Sequence, residues 1–209
     1  MRVVDLSLPV TNEMAGVQIR VAKRLEVDGW NASTLELYSH CGTHMDAPCH
    51  FLPGGAAIDR QDLDVCVGEA EVLDFAPTSP SQLLGLEDIE RYEDRVRPGG
   101  RLLFRTDWYK QFGQENYRSG LPRIGFELAE WLVKREVALV GVEGPSVADV
   151  NNMQELTKVH QTLFLGGVLI VEGLANLDQL SRDRVEFIAL PMLMPGIDGS
   201  PTRAIAIER

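Results

Sequence analysis

From His40 to Gly55 the chain reads H-C-G-T-H-M-D-A-P-C-H-F-L-P-G-G, and no other stretch restricts its folding so tightly. Pro48 and Pro53 remove backbone donors and fix φ, and Gly54 and Gly55 raise the entropic cost of ordering, so from Asp46 onward neither a long helix nor a central strand continues. That stretch is read as a loop. It follows a strand, because Leu35 and Leu37 alternate with Thr34, Glu36 and Tyr38 at the two-residue period of a half-buried strand. Three of the chain's four histidines, His40, His44 and His50, are crowded into this strand end and loop, and the fourth, His160, stands far downstream.

The same reading along the chain predicts strands at Val3–Leu8, Val17–Ala22, Glu71–Phe75 and Arg101–Arg105. Pro77-Thr78-Ser79-Pro80 marks a turn, and Leu86–Tyr92 a short helix before Pro98-Gly99-Gly100. Leu128, Trp131 and Leu132 recur at helical spacing within Phe126–Arg135, and a second helix is predicted over Asn152–Leu163. The continuous apolar runs Val137–Val142 and Val168–Val171 read as buried strands, and late strands are expected at Val185–Leu190 and Arg203–Ile207. Helices alternate with strands only in the second half, which makes the class α/β with a mixed sheet. No internal repeat or low-complexity tract interrupts it.

Composition narrows the function classes. A chain of 209 residues is long enough for one core, since a domain near that size buries roughly 70% of the surface its unfolded form exposes. The N-terminus lacks the apolar region of a signal peptide, and no run approaches the ~18 apolar residues of a membrane span. A cytoplasmic protein with no membrane partner is the expectation. Cys41, Cys49 and Cys66 are an odd, sparse set, unlike a disulfide scaffold. With 20 basic against 31 acidic residues, a net charge of −11, and no basic run, the chain lacks the electrostatic footprint of a nucleic-acid binder.

The chemistry is concentrated in the histidine-rich segment. Two imidazoles four residues apart and a carboxylate two further on offer the mixed N and O donors that Zn²⁺ and Mn²⁺ accept. A helix would set His40 and His44 on one face, but Gly42 lies between them, and a strand-to-loop site curling around an ion suits the glycine and prolines better. Each residue also has a plainer reading. The histidines could cap loops, His160 could be a satisfied core residue beside Val159, Leu163 and Phe164, and Glu172 could be the point where an apolar strand surfaces. Cys41 and Cys49 are read as small packing residues, and Trp30, Trp108 and Trp131 as core or interface residues.

Ser39, Gly42, Thr43, His44, Asp46, Ala47, Pro48, His50 and Phe51 spell S-x-x-G-T-H-x-D-A-P-x-H-F, which resembles the signature of the cyclase family of metal-dependent hydrolases, a family that includes bacterial kynurenine formamidases and isatin hydrolases. Asp5-Leu6-Ser7 resembles the family's opening strand, His160 and Glu172-Gly173-Leu174 its second metal segment, and Asp198-Gly199-Ser200-Pro201 with Arg203 its C-terminal motif. The resemblance implies one domain over residues 1–209, with a barrel-like mixed sheet flanked by helices in the swivelling β/β/α manner. It implies that His40, His44 and Asp46 bind a first ion, that Asp46 bridges to a second held by His160, and that Glu172 touches both. His50 is then the general acid/base and not a ligand. The cofactor implied is Zn²⁺, one or two ions per chain, with Mn²⁺ as the alternative.

The activity implied is hydrolysis of an amide C–N bond, such as that of N-formylkynurenine, by metal-bound hydroxide. A cyclic amide, lactone or ester is the rival substrate class, and a non-catalytic metal-binding protein the rival from another class. A homodimer or higher homo-oligomer is implied as well. Two positions depart from the family pattern: the loop Pro9–Gly16 has no aromatic residue for a substrate ring, and Glu143 stands where an aspartate is usual.

Overall fold

The computed structural model describes residues 1–209. Twelve strands are formed: β1 (Arg2–Asp5), β2 (Val17–Lys23), β3 (Ala32–Leu37), β4 (His44–Asp46), β5 (Val67–Asp74), β6 (Leu83–Leu84), β7 (Arg101–Arg105), β8 (Arg123–Ile124), β9 (Leu139–Val142), β10 (Leu169–Glu172), β11 (Arg184–Pro191) and β12 (Gly199–Glu208). The helices are α1 (Leu25–Asp28), α2 (Leu63–Cys66), α3 (Leu86–Ile89), α4 (Asn116–Ser119), α5 (Phe126–Lys134) and α6 (Met153–Leu165).

Seven strands close on themselves in the order β12-β11-β5-β7-β9-β10-β4, with β4 pairing back onto β12. The pairs β5/β7, β7/β9 and β9/β10 are parallel and the other four antiparallel, so the mixed α/β barrel-like core expected from the sequence is the fold observed. Closure removes free sheet edges. β12 is longer than the Arg203–Ile207 strand expected, because its first residues, Gly199–Pro201, pair with β4, while Ile205–Glu208 pair with β1.

Alternation sorts the side chains. Leu103, Val171, Met45 and Phe187 point into the barrel, whereas Leu102, Phe104, Val140 and Ile170 face outward onto a second apolar layer. Helices α5 and α6 complete that layer with Leu128, Leu132, Val159 and Leu163, the apolar stripe that the 3.6-residue period marked. Met45 is fully buried inside the barrel, so its neighbours His44 and Asp46 are turned to the outer face, toward α6. Strand β4 was not foreseen. Three residues are too few to show a period, and the strand exists because β10 and β12 hold it on both sides.

After β4, Pro48–His50 form one 3₁₀ turn with proline at its start, where a missing N–H costs nothing. The motifs at the two ends of the chain meet each other on the surface: Arg203 grips the Asp5 carboxylate with two hydrogen bonds of 2.9 and 2.7 Å, and the Ser7 hydroxyl donates to the Ala204 carbonyl.

Candidate metal centre

The register of β4 assembles the first part of the site. Glu172 lies directly opposite His44, and Asp46 lies opposite Ile170 on β10 and Gly199 on β12. Helix α6 lays His160 over the same spot from the outer layer. His40 arrives from the turn before β4, and His50 from the 3₁₀ turn after it. All six residues singled out by sequence are thus brought together. His44, Asp46, His160 and Glu172 are all at most 3% exposed.

Burying two carboxylates side by side is costly unless positive charge answers them. The imidazoles do so. His44 Nε2 is 3.4 Å from Asp46 Oδ1 and 3.2 Å from Glu172 Oε2. His160 Nε2 is 3.6 Å from Asp46 Oδ2 and 3.4 Å from Glu172 Oε1. Each carboxylate therefore turns one oxygen to each imidazole. Burial works to lower the pKa of both rings, but the facing carboxylates outweigh it and push His44 up to about 10 and His160 up to about 9. Burial likewise works to raise Asp46, but the His160, His40 and His44 rings hold it well below the usual carboxylate range.

Those distances fit a cation better than they fit hydrogen bonds. Ligands bonded at about 2.0–2.1 Å in a tetrahedron sit roughly 3.3 Å from one another, and two of the facing atoms, His44 Nε2 and Asp46 Oδ2, are buried with no hydrogen-bond partner. The far side of each ring is tied as metal-bound imidazoles require. His44 Nδ1 donates to the Gly42 carbonyl at 3.0 Å and His160 Nδ1 to the Leu156 carbonyl at 2.8 Å, which leaves Nε2 of each ring as the atom turned on the carboxylates. His40 places Nδ1 2.7 Å from Asp46 Oδ1 and Nε2 3.0 Å from Asp198 Oδ2. The residues present fit a divalent cation, with room in the donor set for a second.

Two glycines make the approach possible. A Cβ on Gly199 would lie 2.6 Å from the His40 ring, and one on Gly173, whose φ is +66°, would lie 2.4 Å from the Gly42 carbonyl oxygen. Thr43 braces the same corner, its hydroxyl donating to Gly173 O and accepting from Leu8 N. The Val147 amide donates to Glu172 Oε1 at 2.8 Å.

His50 is more open than these. Its ring stacks on His40 at 4.0 Å between centroids, and its Nδ1 is 3.5 Å from Asp198 Oδ2. Burial foremost holds its pKa below the usual histidine value. Donor atoms of His40, Asp46 and His50 also lie within 4.8 Å of one another, so geometry alone leaves His50 within reach of an ion. Asp198, quoted above only as part of a motif, is the residue the sequence reading missed. Its signal was present, a carboxylate in a Gly-Ser-Pro strand start, but nothing local tied position 198 to positions 40 and 50.

The two departures from the family pattern resolve structurally. Glu143 is fully buried at the end of β9, where Oε2 accepts from the Thr106 and Trp108 amides and the Thr106 hydroxyl, and burial pushes its pKa up to about 7. Its other oxygen, Oε1, is buried without a hydrogen-bond partner. The aromatic surface that Pro9–Gly16 lacks is supplied by Phe112 and Tyr117, packed edge to face at 5.5 Å, in a cavity of about 360 Å³ that also reaches His40 and His44. An inner chamber of about 70 Å³, reaching His50, His160 and Glu172, adjoins it through His40, His44, Arg118 and Pro145. Cys41 and Cys49 are free thiols packed among apolar neighbours, and Trp108 is buried.

A barrel whose short fourth strand delivers an imidazole and a carboxylate to a helix-borne histidine, with a second imidazole from the turn before it, is the arrangement of a metal-dependent hydrolase. The Cyclase family model, described as "Putative cyclase", matches residues 4–149, and the chain belongs to that family. Full-length relatives agree: it is 31% identical to a kynurenine formamidase of Bacillus cereus over 97% of this chain and 95% of that protein, and 32% identical to that of Bacillus cytotoxicus with the same coverage. Among solved structures, isatin hydrolase A of Labrenzia aggregata superposes with a TM-score of 0.86 at 26% identity, covering 98% of this chain and 93% of that one. A protein described as a potential metal-dependent hydrolase with cyclase activity gives 0.83 at 25%, covering 100% and 98%.

Proposed function

We propose that this chain hydrolyses the amide C–N bond of an N-formyl arylamine, with N-formylkynurenine as the leading substrate. The observation that carries the reading is the pair of buried carboxylates, Asp46 and Glu172, each offering one oxygen to His44 and the other to His160, beside a small inner chamber. In the proposed division of labour His40, His44 and Asp46 hold one ion, Asp46 bridges to a second held by His160, and Glu172 contacts both. A divalent cation bound there lowers the pKa of a water from 15.7 toward about 7 and polarises a carbonyl oxygen. Zn²⁺ is the proposed ion, with Mn²⁺ served by the same mixed N and O donors.

The protein's own groups then manage the proton. His50, kept neutral by its surroundings, faces Asp198 with Nδ1, so Nε2 is the atom free to take a proton from the attacking water and return it to the departing nitrogen. Asp198 is hydrogen-bonded to His40 Nε2 at 3.0 Å and stands 3.5 Å from His50 Nδ1, next to both rings. The smaller cavity is lined by His44, His50, His160 and Glu172 together, so an acyl group entering it meets the proposed ion ligands and the proposed proton carrier at once.

The test is turnover of N-formylkynurenine and formanilide by the metal-loaded protein, against isatin and a panel of lactones. Release of formate from the formamides supports the reading; turnover confined to isatin or a lactone replaces it with the cyclic-substrate reading, which the likeness to isatin hydrolase A favours. Absence of turnover across the panel with stoichiometric metal bound would leave a metal-binding protein.

The 209 residues are proposed to act as one domain and to assemble as a homodimer or larger homo-oligomer in the cytoplasm. The β2/β3 hairpin and α1 expose Val21, Leu25, Val27, Trp30 and Leu35, an apolar face of the kind that marks an interface. No helix is long and apolar enough to cross a membrane.

A further inference from the structure

Arg118, on the short helix α4, is the only arginine or lysine lining either cavity of the site, and it lines both. It is exposed, and no carboxylate of the chain pairs with it. The basic residues nearest it in sequence are all tied: Arg105 to Asp74 and Asp107, Lys110 to Asp107 and Asp178, and Arg123 to Glu155. In a chain with 31 acidic and 20 basic residues, an arginine left unpaired at the mouth of a cavity is available to a ligand.

Its position is held firmly. Trp108 Nε1 donates to the Tyr117 carbonyl at 2.9 Å, the Gly120 amide to the Asn116 carbonyl at 2.8 Å, and the Tyr117 hydroxyl to the Glu143 carbonyl at 3.3 Å. The backbone that carries Arg118 is therefore pinned to the buried Trp108 and to the end of β9. Beside it stands the aromatic wall of Phe112 and Tyr117. An aryl ring resting on that wall, with its acylated nitrogen toward the inner chamber, brings a substituent on the ring within the guanidinium's surroundings.

We infer that Arg118 sets specificity at this site by binding a carboxylate that the substrate bears outside the scissile bond. A planar guanidinium binds a carboxylate through two parallel charge-assisted hydrogen bonds, which fixes orientation as well as affinity. Glu13 and Glu115 line the same outer cavity. The inference rests on the amide-hydrolase reading for the identity of the scissile bond, but the recognition it assigns is one of binding.

The experiment is calorimetric binding to the metal-loaded protein of two ligands that share the arylamine and the ammonium, kynurenine, which carries the carboxylate, and kynuramine, which lacks it. The wild type should bind kynurenine at least tenfold more tightly than kynuramine. R118Q should abolish that preference, and R118K, which keeps charge but loses the fork, should retain part of it. Thermal melting checks that the variants are folded, as an exposed side chain leads one to expect. Equal affinities in the wild type, no binding of kynurenine, or a preference that survives in R118Q would each overturn the inference. Failure of the catalytic reading is separate, because it shows as absent turnover of both N-formylkynurenine and formanilide while the binding preference still decides the role of Arg118.

Discussion

His50 and Asp46 lie close together on the chain and are assigned opposite tasks, one moving a proton and the other holding an ion. Substituting His50 by alanine should lower kcat by about 10²–10⁴, the usual worth of a general acid/base, while metal content measured by atomic emission stays at the wild-type level. Loss of metal instead would make His50 a ligand, as its place beside His40 and Asp46 physically permits. Asp46→Asn should empty the site, because the carboxylate that turns one oxygen to each imidazole carries the charge that balances them. Glu143 offers a test away from the chemistry. Its folded pKa of about 7 lies above the unfolded value near 4.5, so its burial costs nothing below the unfolded value and costs increasingly as pH rises from there to the folded one. Glu143→Gln should therefore raise stability at pH 8 by on the order of 1–3 kcal/mol and bring no gain at pH 4, as denaturant midpoints will show.

Elements matter to the site chiefly through register. Strand β4 is only His44–Asp46, yet the two-residue alternation that buries Met45 in the barrel turns both donors outward, and a slip of one residue would exchange them. The corner that holds it is tight at Gly173, so Gly173→Ala should lower stability by about 2–3 kcal/mol through its positive φ and the clash with the Gly42 carbonyl, and should weaken metal binding along with it. A variant that kept full stability and metal would show that the corner can relax. The strands and helices longer than four residues were largely legible, because each carries a period or an apolar run. The three-residue β4 and the short helices α1, α2 and α4 were not, since their conformation comes from what flanks them, whereas α3 falls within the short helix expected over Leu86–Tyr92. Asp198 and Arg118 were illegible as site residues for a related cause: an isolated polar residue on a strand start or a helical turn looks like ordinary surface until its spatial neighbours are known.

At the scale of the whole molecule, barrel closure is what joins residues 40–50, 160, 172 and 198, and the ion they are proposed to hold should in turn hold the barrel. A ligand that binds only the folded state stabilises it by mass action, so chelation should lower Tm, re-addition of Zn²⁺ or Mn²⁺ should restore it, and Asp46→Asn should melt at the same temperature with or without metal. Equal melting of loaded and stripped wild type would show that the cluster is stable on imidazolium charge alone. If the exposed hairpin is an interface, Trp30→Lys should shift the sedimentation coefficient toward that of a 23.2 kDa monomer. The local order of the residues already specified the class of fold, the donor types and their clustering, because periodicity, turn chemistry and the histidine-rich signature are all properties of neighbouring positions. The pairing of Glu172 with His44, the approach of His160 from a helix, the link from Asp198 to two histidines and the unpaired Arg118 were decided only by closure of the barrel, because each depends on contacts between segments tens of residues or more apart.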